Sequence, residues 1–532
     1  MMKQVTLINL KTPLKGIFAA IVSGLLLAFS ICHPGIWQFS WAAFVPVLLA
    51  CNGKNPRICA LFWLITGLIY YGILLWWVKI FGYEPWVALT IFQTLYFALF
   101  GLVLGLFNRK KMGLWLFLLV PAAWAAMQWL RTFGMFGFTW GSLAHIQAAS
   151  TFAVRPAVWG PWVLEFLVFQ FNFMLVYLIT NCSPIPFVRS LSKCGQEQVQ
   201  HEREQRRVYL PVVICLLILG FFWCTAIPYG KDEPGGKEFT TAVLQGNEAQ
   251  DVEVNDRYLR SVYDTYSTLS EGVDSTQPRL IVWPETTLPA DITYLGYEGM
   301  LQNLAVRTGS CYLVGAYSPT RIPGEDRLRN SAYVIDSDGR TKGIYSKVRL
   351  VPFGEFVPWR EQLKPILKSF PIRLRDVLPG IGRPVIDCSV GKIGTMICFE
   401  SLFSDISRQE VADGANVLVI ITNDGWFGRT QAAYQHLLFA RLRAVETDRP
   451  IVRAAATGMS ALISHKGEIE DSSGIYTSSV LRGMVRTRET RTPYVVLGDL
   501  FVYLFAGVSL VGVVLSLFLN RGLRGSGEIS RK

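Results

Sequence analysis

The chain has 532 residues, 51% of them hydrophobic and only 17% charged. A soluble domain carries roughly 25% charge. The composition therefore excludes a disordered, collagenous or disulfide-scaffold protein and argues against a purely soluble enzyme. The net charge of +12 must then be read from where the bases fall.

Seven charge-poor apolar stretches fill the first 228 residues. They run Gly16–Cys32, Ile36–Ala50, Ile58–Val78, Trp86–Phe107, Met112–Leu130, Trp159–Thr180 and Val208–Pro228, and Glu165 is the one acid or base inside them. An eighth, Leu500–Leu519, lies near the C-terminus. Crossing a ~30 Å hydrocarbon core takes about 20 apolar residues in a helix. Backbone amides in lipid must be paired internally, so the stretches predict eight transmembrane helices. Lys3, Lys11 and Lys15 precede the first, but Phe29-Ser30-Ile31 makes a poor small-residue cleavage site, so it is expected to be retained.

With the N-terminus placed in the cytoplasm, the inner segments hold seventeen Lys and Arg. The short outer loops hold only Lys79, Arg131 and Arg155. The positive-inside rule supports that placement, with both termini cytoplasmic. The basic balance is thus membrane topology, and nothing points to nucleic acid.

Seven spans put Tyr229–Val496 on the outer side. The expected organisation is a seven-helix bundle over 1–228, a catalytic domain over 229–496 and a last helix with a cytoplasmic tail over 497–532. Composition changes abruptly in the middle unit. Strands are predicted at Thr240–Leu244, Leu280–Trp283, Cys311–Ala316, Ser331–Asp336, Lys392–Ile397, Val417–Thr422, Ile451–Ala456 and Ala461–Ser464. Asp338-Gly339 signals a hairpin, and a helix is predicted over Thr430–Glu446, ahead of Pro450. Strands alternating with helices imply a layered α/β domain. Cys311, Cys388 and Cys398 fall in this unit, and sequence leaves open whether the first two pair. No His/Cys spacing suits a metal, and His145, His436 and His465 are read as structural.

Three polar residues interrupt apolar strands near their ends. Glu285 follows Leu280-Ile281-Val282-Trp283-Pro284, Lys347 follows Tyr345-Ser346, and Cys398 follows Ile393-Gly394-Thr395-Met396-Ile397. Strand ends of α/β domains are where catalytic groups gather. A Cys, a Glu and a Lys make an acyl-transfer set: nucleophile, proton carrier and oxyanion stabiliser. Taken singly, each has a plainer reading as a core thiol, a capping acid or a surface charge.

Their surroundings change that weighting. Val282-Trp283-Pro284-Glu285-Thr286, Tyr345-Ser346-Lys347 running on to Gly354-Glu355-Phe356, Ile397-Cys398-Phe399-Glu400-Ser401 and Thr422-Asn423-Asp424-Gly425-Trp426-Phe427 resemble the nitrilase superfamily. With seven spans before and one after, the chain resembles the apolipoprotein N-acyltransferases. The resemblance implies an αββα sandwich and no cofactor. It implies Glu285 as general base, Lys347 as oxyanion stabiliser and Cys398 as nucleophile, with Glu355 and Glu400 as supporting acids. Phe399 stands where many members have Tyr, and Val254 where many have Trp.

The activity implied is acyl transfer from a phospholipid to the N-terminal amine of a diacylglyceryl-modified apolipoprotein, in a bacterial inner membrane with the catalytic domain in the periplasm. Anchoring the domain at the bilayer fits that chemistry, because pulling a palmitoyl-length chain out of lipid would cost roughly 12 kcal/mol. The aromatic stretch Val351–Phe370 reads either as an arm dipping into the interface or as a loop packed on the domain. Thr132–Ala157 is a candidate second wall beside it. Glu165 either faces the bundle interior or sits near the interface. The alternatives are a membrane-tethered amidase and a transporter or receptor with an outer binding domain.

Overall fold

The computed structural model describes residues 13–32, 36–107, 115–181, 195–231, 236–248, 254–273, 279–320, 327–362 and 376–529. The apolar runs become helices α1 (Pro13–Cys32), α2 (Val45–Cys51), α3 (Pro56–Leu74), α4 (Tyr83–Phe107), α5 (Leu116–Leu130), α6 (Leu143–Gln147), α7 (Pro161–Asn181) and α8 (Gly195–Ala226). Small residues let them approach closely. A Cβ at Gly16 of α1 would sit 2.1 Å from the Phe62 ring of α3, and one at Gly101 of α4 would sit 2.7 Å from the Cys59 carbonyl oxygen of α3. Phe44, Trp63, Trp124 and Phe169 fill the centre, with Phe44 4.8 to 5.2 Å from the other three ring centroids.

Six helical segments are long and apolar enough to cross a membrane: Pro13–Cys32, Pro56–Leu74, Tyr83–Phe107, Pro161–Asn181, Tyr209–Tyr229 and Leu500–Phe518. Two of the eight expected spans are shorter. Ile36–Ala50 breaks into a 3-10 turn, Trp37–Trp41, and the seven-residue α2, with a proline in its first turn. Asn172 of α7 satisfies the broken backbone: it accepts from Phe44 N and donates to the Ser40 carbonyl, both at 2.9 Å. Irregular backbone at membrane depth is tolerated where protein side chains pair it. Helix α5 begins only at Leu116, and residues 112–114 of the expected span lie outside the described residues. Glu165 proves to be interior: it is fully buried and accepts from Trp124 Nε1 at 2.8 Å and Ala144 N at 2.9 Å.

After the bundle come β1 (Glu238–Gln245), α9 (Asp256–Glu271), β2 (Leu280–Val282), β3 (Leu288–Asp291), α10 (Tyr297–Thr308), β4 (Cys311–Pro319), β5 (Leu328–Ile335) and β6 (Thr341–Ser346). Then follow β7 (Ile386–Cys388), β8 (Gly391–Ile397), α11 (Ser404–Ala412), β9 (Val417–Thr422), α12 (Ala432–Thr447), β10 (Ile451–Ala455), β11 (Ala461–Ile463), β12 (Ile469–Ser472) and β13 (Ser479–Arg486). Short α13 (Pro493–Leu497) leads into α14 (Leu500–Ile529). The strands form two sheets. One is seven-stranded, ordered β13-β1-β2-β4-β5-β6 with β3 on β4; the other is six-stranded, ordered β12-β11-β10-β9-β8-β7. The Asp338-Gly339 turn joins antiparallel β5 and β6, as expected.

Strand periodicity sorts the side chains into layers. Cys311 and Leu313 of β4 meet Ile393 and Ile397 of β8 and Val417, Val419 and Ile421 of β9 in a core between the sheets. The alternate residues Tyr312 and Val314 face outward onto Tyr263 and Tyr266 of α9 and Leu301 of α10. Leu418 and Ile420 face the opposite way, into a core with Leu437 and Phe439 of α12 that runs on into the membrane bundle. The domain is thus an αββα sandwich whose second helical layer rests on the bundle. Cys311 is buried in the inter-sheet core and Cys388 packs at its edge; neither forms a disulfide.

The first part of the aromatic arm leans on the outer loop. Phe353 and Trp359, both with left-handed backbone (φ 61° and 48°), lie 6.3 and 5.5 Å from Phe136. Residues 363–370 of the expected arm lie outside the described residues.

Candidate active site

Glu285 stands three residues beyond β2, where that strand has left the sheet. A Cβ at Gly315 of neighbouring β4 would lie 2.1 Å from the Pro284 carbonyl and 2.8 Å from Glu285 Cα, so a glycine lets this turn lie down on the sheet. Lys347 directly follows β6 and is 1% exposed. Its ammonium donates to Glu285 Oε1 at 3.1 Å and to Glu355 Oε1 at 2.9 Å. Burial opposes its charge, but Glu285 and Glu355 outweigh that and hold its pKa well above the ordinary lysine value.

The two carboxylates are fixed in turn. Asn330 of β5 donates to Glu285 Oε1 at 2.7 Å and to Glu355 Oε1 at 3.0 Å. Backbone amides take the remaining oxygens: Asn423 N donates to Glu285 Oε2 at 2.7 Å and Val351 N to Glu355 Oε2 at 2.8 Å.

Cys398 comes from the other sheet. It directly follows β8 with φ 52°, a left-handed backbone that costs a non-glycine residue about 1–3 kcal/mol and marks a site held by its surroundings. Burial, with Glu285 nearby, pushes its thiol up, and Lys347 pulls the other way. Burial and charge thus both favour the protonated sulfur over the thiolate, with Glu285 and Lys347 close by. Phe399 lies 6.2 Å from Phe138 of the loop between α5 and α6 and 5.2 Å from Phe403.

Glu400 is fully buried and binds the two loops together. Its Oε1 accepts from Val348 N at 2.6 Å and Arg349 N at 3.1 Å, and its Oε2 from Ile397 N at 2.8 Å and Tyr345 OH at 2.9 Å. Burial raises its pKa to about 7 against the pull of those backbone donors and Lys347. Its place is structural: it ties the Lys347 segment to the Cys398 turn.

All six residues singled out from sequence lie around this junction. Val254, by contrast, is exposed on the segment before α9. Sequence reading passed over Asn330, which lies one residue ahead of a predicted strand, and treated His436 only as structural. Among the described residues, no cluster of His, Cys, Asp and Glu suits a metal. The bundle closes one side of the site: Thr139 Oγ1 donates to the Leu402 carbonyl at 3.0 Å, and Trp140 Nε1 to Gln435 Oε1 at 2.7 Å.

Comparison with known proteins agrees with this architecture. Residues 240–482 match the carbon-nitrogen hydrolase family, and residues 23–174 match the apolipoprotein N-acyltransferase N-terminal domain. The chain is 33% identical to an apolipoprotein N-acyltransferase of Geobacter metallireducens, over 96% of each protein. It is 28% identical to one of Gloeobacter violaceus, over 95% of this chain and 94% of that one. A carbon-nitrogen hydrolase structure from Helicobacter pylori G27 aligns over 46% of this chain and 88% of its own, at 17% identity and TM-score 0.37. On the full-length likeness to the Geobacter protein, the chain belongs to the apolipoprotein N-acyltransferase family.

Proposed function

We propose that this membrane enzyme moves a fatty acyl chain from a phospholipid to the N-terminal amine of a diacylglyceryl-cysteine lipoprotein, through a thioester on Cys398. The observation that carries the reading is the buried Glu285–Lys347–Glu355 cluster set beside a strained cysteine turn, with the bundle's outer loop against that turn.

Glu285 takes the thiol proton as the sulfur attacks the donor ester carbonyl. The negative charge that forms on oxygen lies within reach of Lys347 and of the Phe399 N–H. Collapse breaks the ester bond, and the departing lysophospholipid oxygen takes the proton from Glu285. The acceptor amine then attacks the thioester, gives a proton to Glu285, and leaves as the amide while the thiol is restored. The two half-reactions share one intermediate, which is ping-pong logic. Glu355 and Asn330 hold the charged groups in place. A fixed cation in a water-poor pocket is worth about 3 kcal/mol to such an oxyanion.

The domain division at residues 228 and 496, and a periplasmic domain with both termini in the cytoplasm, belong to the same reading. They rest on the charge asymmetry of the loops. Cys398→Ala and Glu285→Gln are expected to abolish transfer while the protein still inserts in membranes. Assay of N-acylated peptide against free fatty acid decides between this and an amidase: peptide product supports transfer, and fatty acid alone contradicts it.

A further inference from the structure

Behind the cysteine turn lies a buried polar chain that the reaction above does not use. His436 of α12 is fully buried. Its Nδ1 lies 2.8 Å from Asp424 Oδ1, and Arg453 Nη2 of β10 donates to Asp424 Oδ2 at 2.8 Å. Thr422 Oγ1 donates to Asp424 Oδ1, also at 2.8 Å. Burial alone would raise the Asp424 pKa, but Arg453 and His436 outweigh it and hold it at about 2. The carboxylate is therefore ionised, ringed by the imidazole, the Arg453 guanidinium and the Thr422 hydroxyl.

The other ring nitrogen points at the turn. His436 Nε2 lies 2.9 Å from Ser401 Oγ and 3.2 Å from the Cys398 carbonyl oxygen, and Ser401 Oγ itself donates to that carbonyl at 2.9 Å. Trp140, Phe427 and Phe439 wall the ring at 6.0, 5.6 and 5.8 Å. The imidazole has no room to turn away.

A peptide unit is planar and trans, so its C=O and N–H point in opposite directions. Holding the Cys398 carbonyl from behind therefore aims the Phe399 N–H forward, to the side where the oxyanion forms. We propose that His436 is a positioning residue for the oxyanion site: with Ser401 it clamps the Cys398–Phe399 peptide so that its N–H faces the reacting carbonyl. This rests on the thioester reading of Cys398.

The test uses the full-length protein in phospholipid–detergent micelles and two reactions of Cys398. Acylation by phospholipid builds an oxyanion; alkylation by a small haloacetamide does not. Losing one oxyanion donor costs about 100-fold or more in rate. His436→Ala is expected to slow acylation by about that factor with KM unchanged, and to leave alkylation at its original rate. His436→Gln, which returns an amide near the Nε2 position, is expected to recover part of the loss. Ser401→Ala removes only a hydroxyl, and serves if His436→Ala does not fold; the same split is expected, smaller in size. An equal fall in both reactions, or no fall in acylation, overturns the assignment to His436. If the unaltered protein forms no adduct on Cys398 at all, the thioester reading itself fails and this inference falls with it.

Discussion

Lys347 shows how little a single side chain means without its neighbours. Alone it is a lysine after a strand; in place it is a buried cation between two carboxylates, each fixed by a backbone amide and by Asn330. Glu285, Lys347 and Cys398 drew notice at strand ends, but singly each read as an ordinary residue; the motifs around them set them apart. Asn330, Asp424 and His436 were not legible in that way. Apart from Thr422 beside Asp424, the partners named here lie from 12 to 45 residues away, and only the fold brings them together. Asp424 gives a pH prediction. Its folded pKa, about 2, lies below the ordinary aspartate value, so its contribution to stability is present above about pH 4 and is lost as pH falls through 2. Breaking a buried pair costs about 3–5 kcal/mol. Asp424→Asn is expected to lower stability by about 3 kcal/mol at pH 7, with the gap to the parent narrowing as the medium approaches pH 2. Denaturant unfolding of both proteins at several pH values measures this; a gap that widens in acid contradicts it. Glu400→Ala leaves four donors facing one another without an acceptor. At about 1–3 kcal/mol for each buried unpaired group, it should unfold at distinctly lower temperature than the parent and lose transfer.

At the scale of elements, the hydrophobic alternation of β4, β8 and β9 made the sandwich readable, because each face buries a different set of side chains. Short or polar strands were not readable. Every residue of β12 is exposed, and β7 is three residues long, so neither carries an apolar period; pairing with a neighbour defines them. The same logic explains the broken second span, where a buried asparagine on another helix supplies the missing backbone partners. Gly315 tests how closely an element controls the site. A methyl group there meets the Pro284–Glu285 backbone, and overpacking typically costs 1–3 kcal/mol. Gly315→Ala is expected to cost about that much stability and to displace Glu285 from Lys347, reducing transfer more than it reduces folding. Parallel measurement of unfolding and activity checks this; unchanged activity would show that the turn has slack.

The whole molecule joins a lipid-embedded bundle to a soluble-type sandwich by one continuous core, so neither half is a passive anchor for the other. The loop between α5 and α6 reaches the cysteine turn at Phe138, Thr139 and Trp140. Arg131 holds that loop from within the bundle: it donates to the Trp140 carbonyl at 2.8 Å and to Gln93 Oε1 at 2.9 Å. Composition announced the two halves, and Thr132–Ala157 was expected to stand beside the arm, but its partners across the seam were not legible, because these contacts join residues more than 260 positions apart. Both substrates of the proposed reaction carry chains in lipid, and a catalytic turn seated on the bundle spares their extraction. The most direct measurement is the intact mass of the purified protein after incubation with phospholipid, followed by peptide mapping. The account predicts one fatty-acyl adduct, located on Cys398 and discharged when an acceptor lipopeptide is added. An adduct on Cys311 or Cys388, or acyl transfer that proceeds in Cys398→Ala, would contradict it.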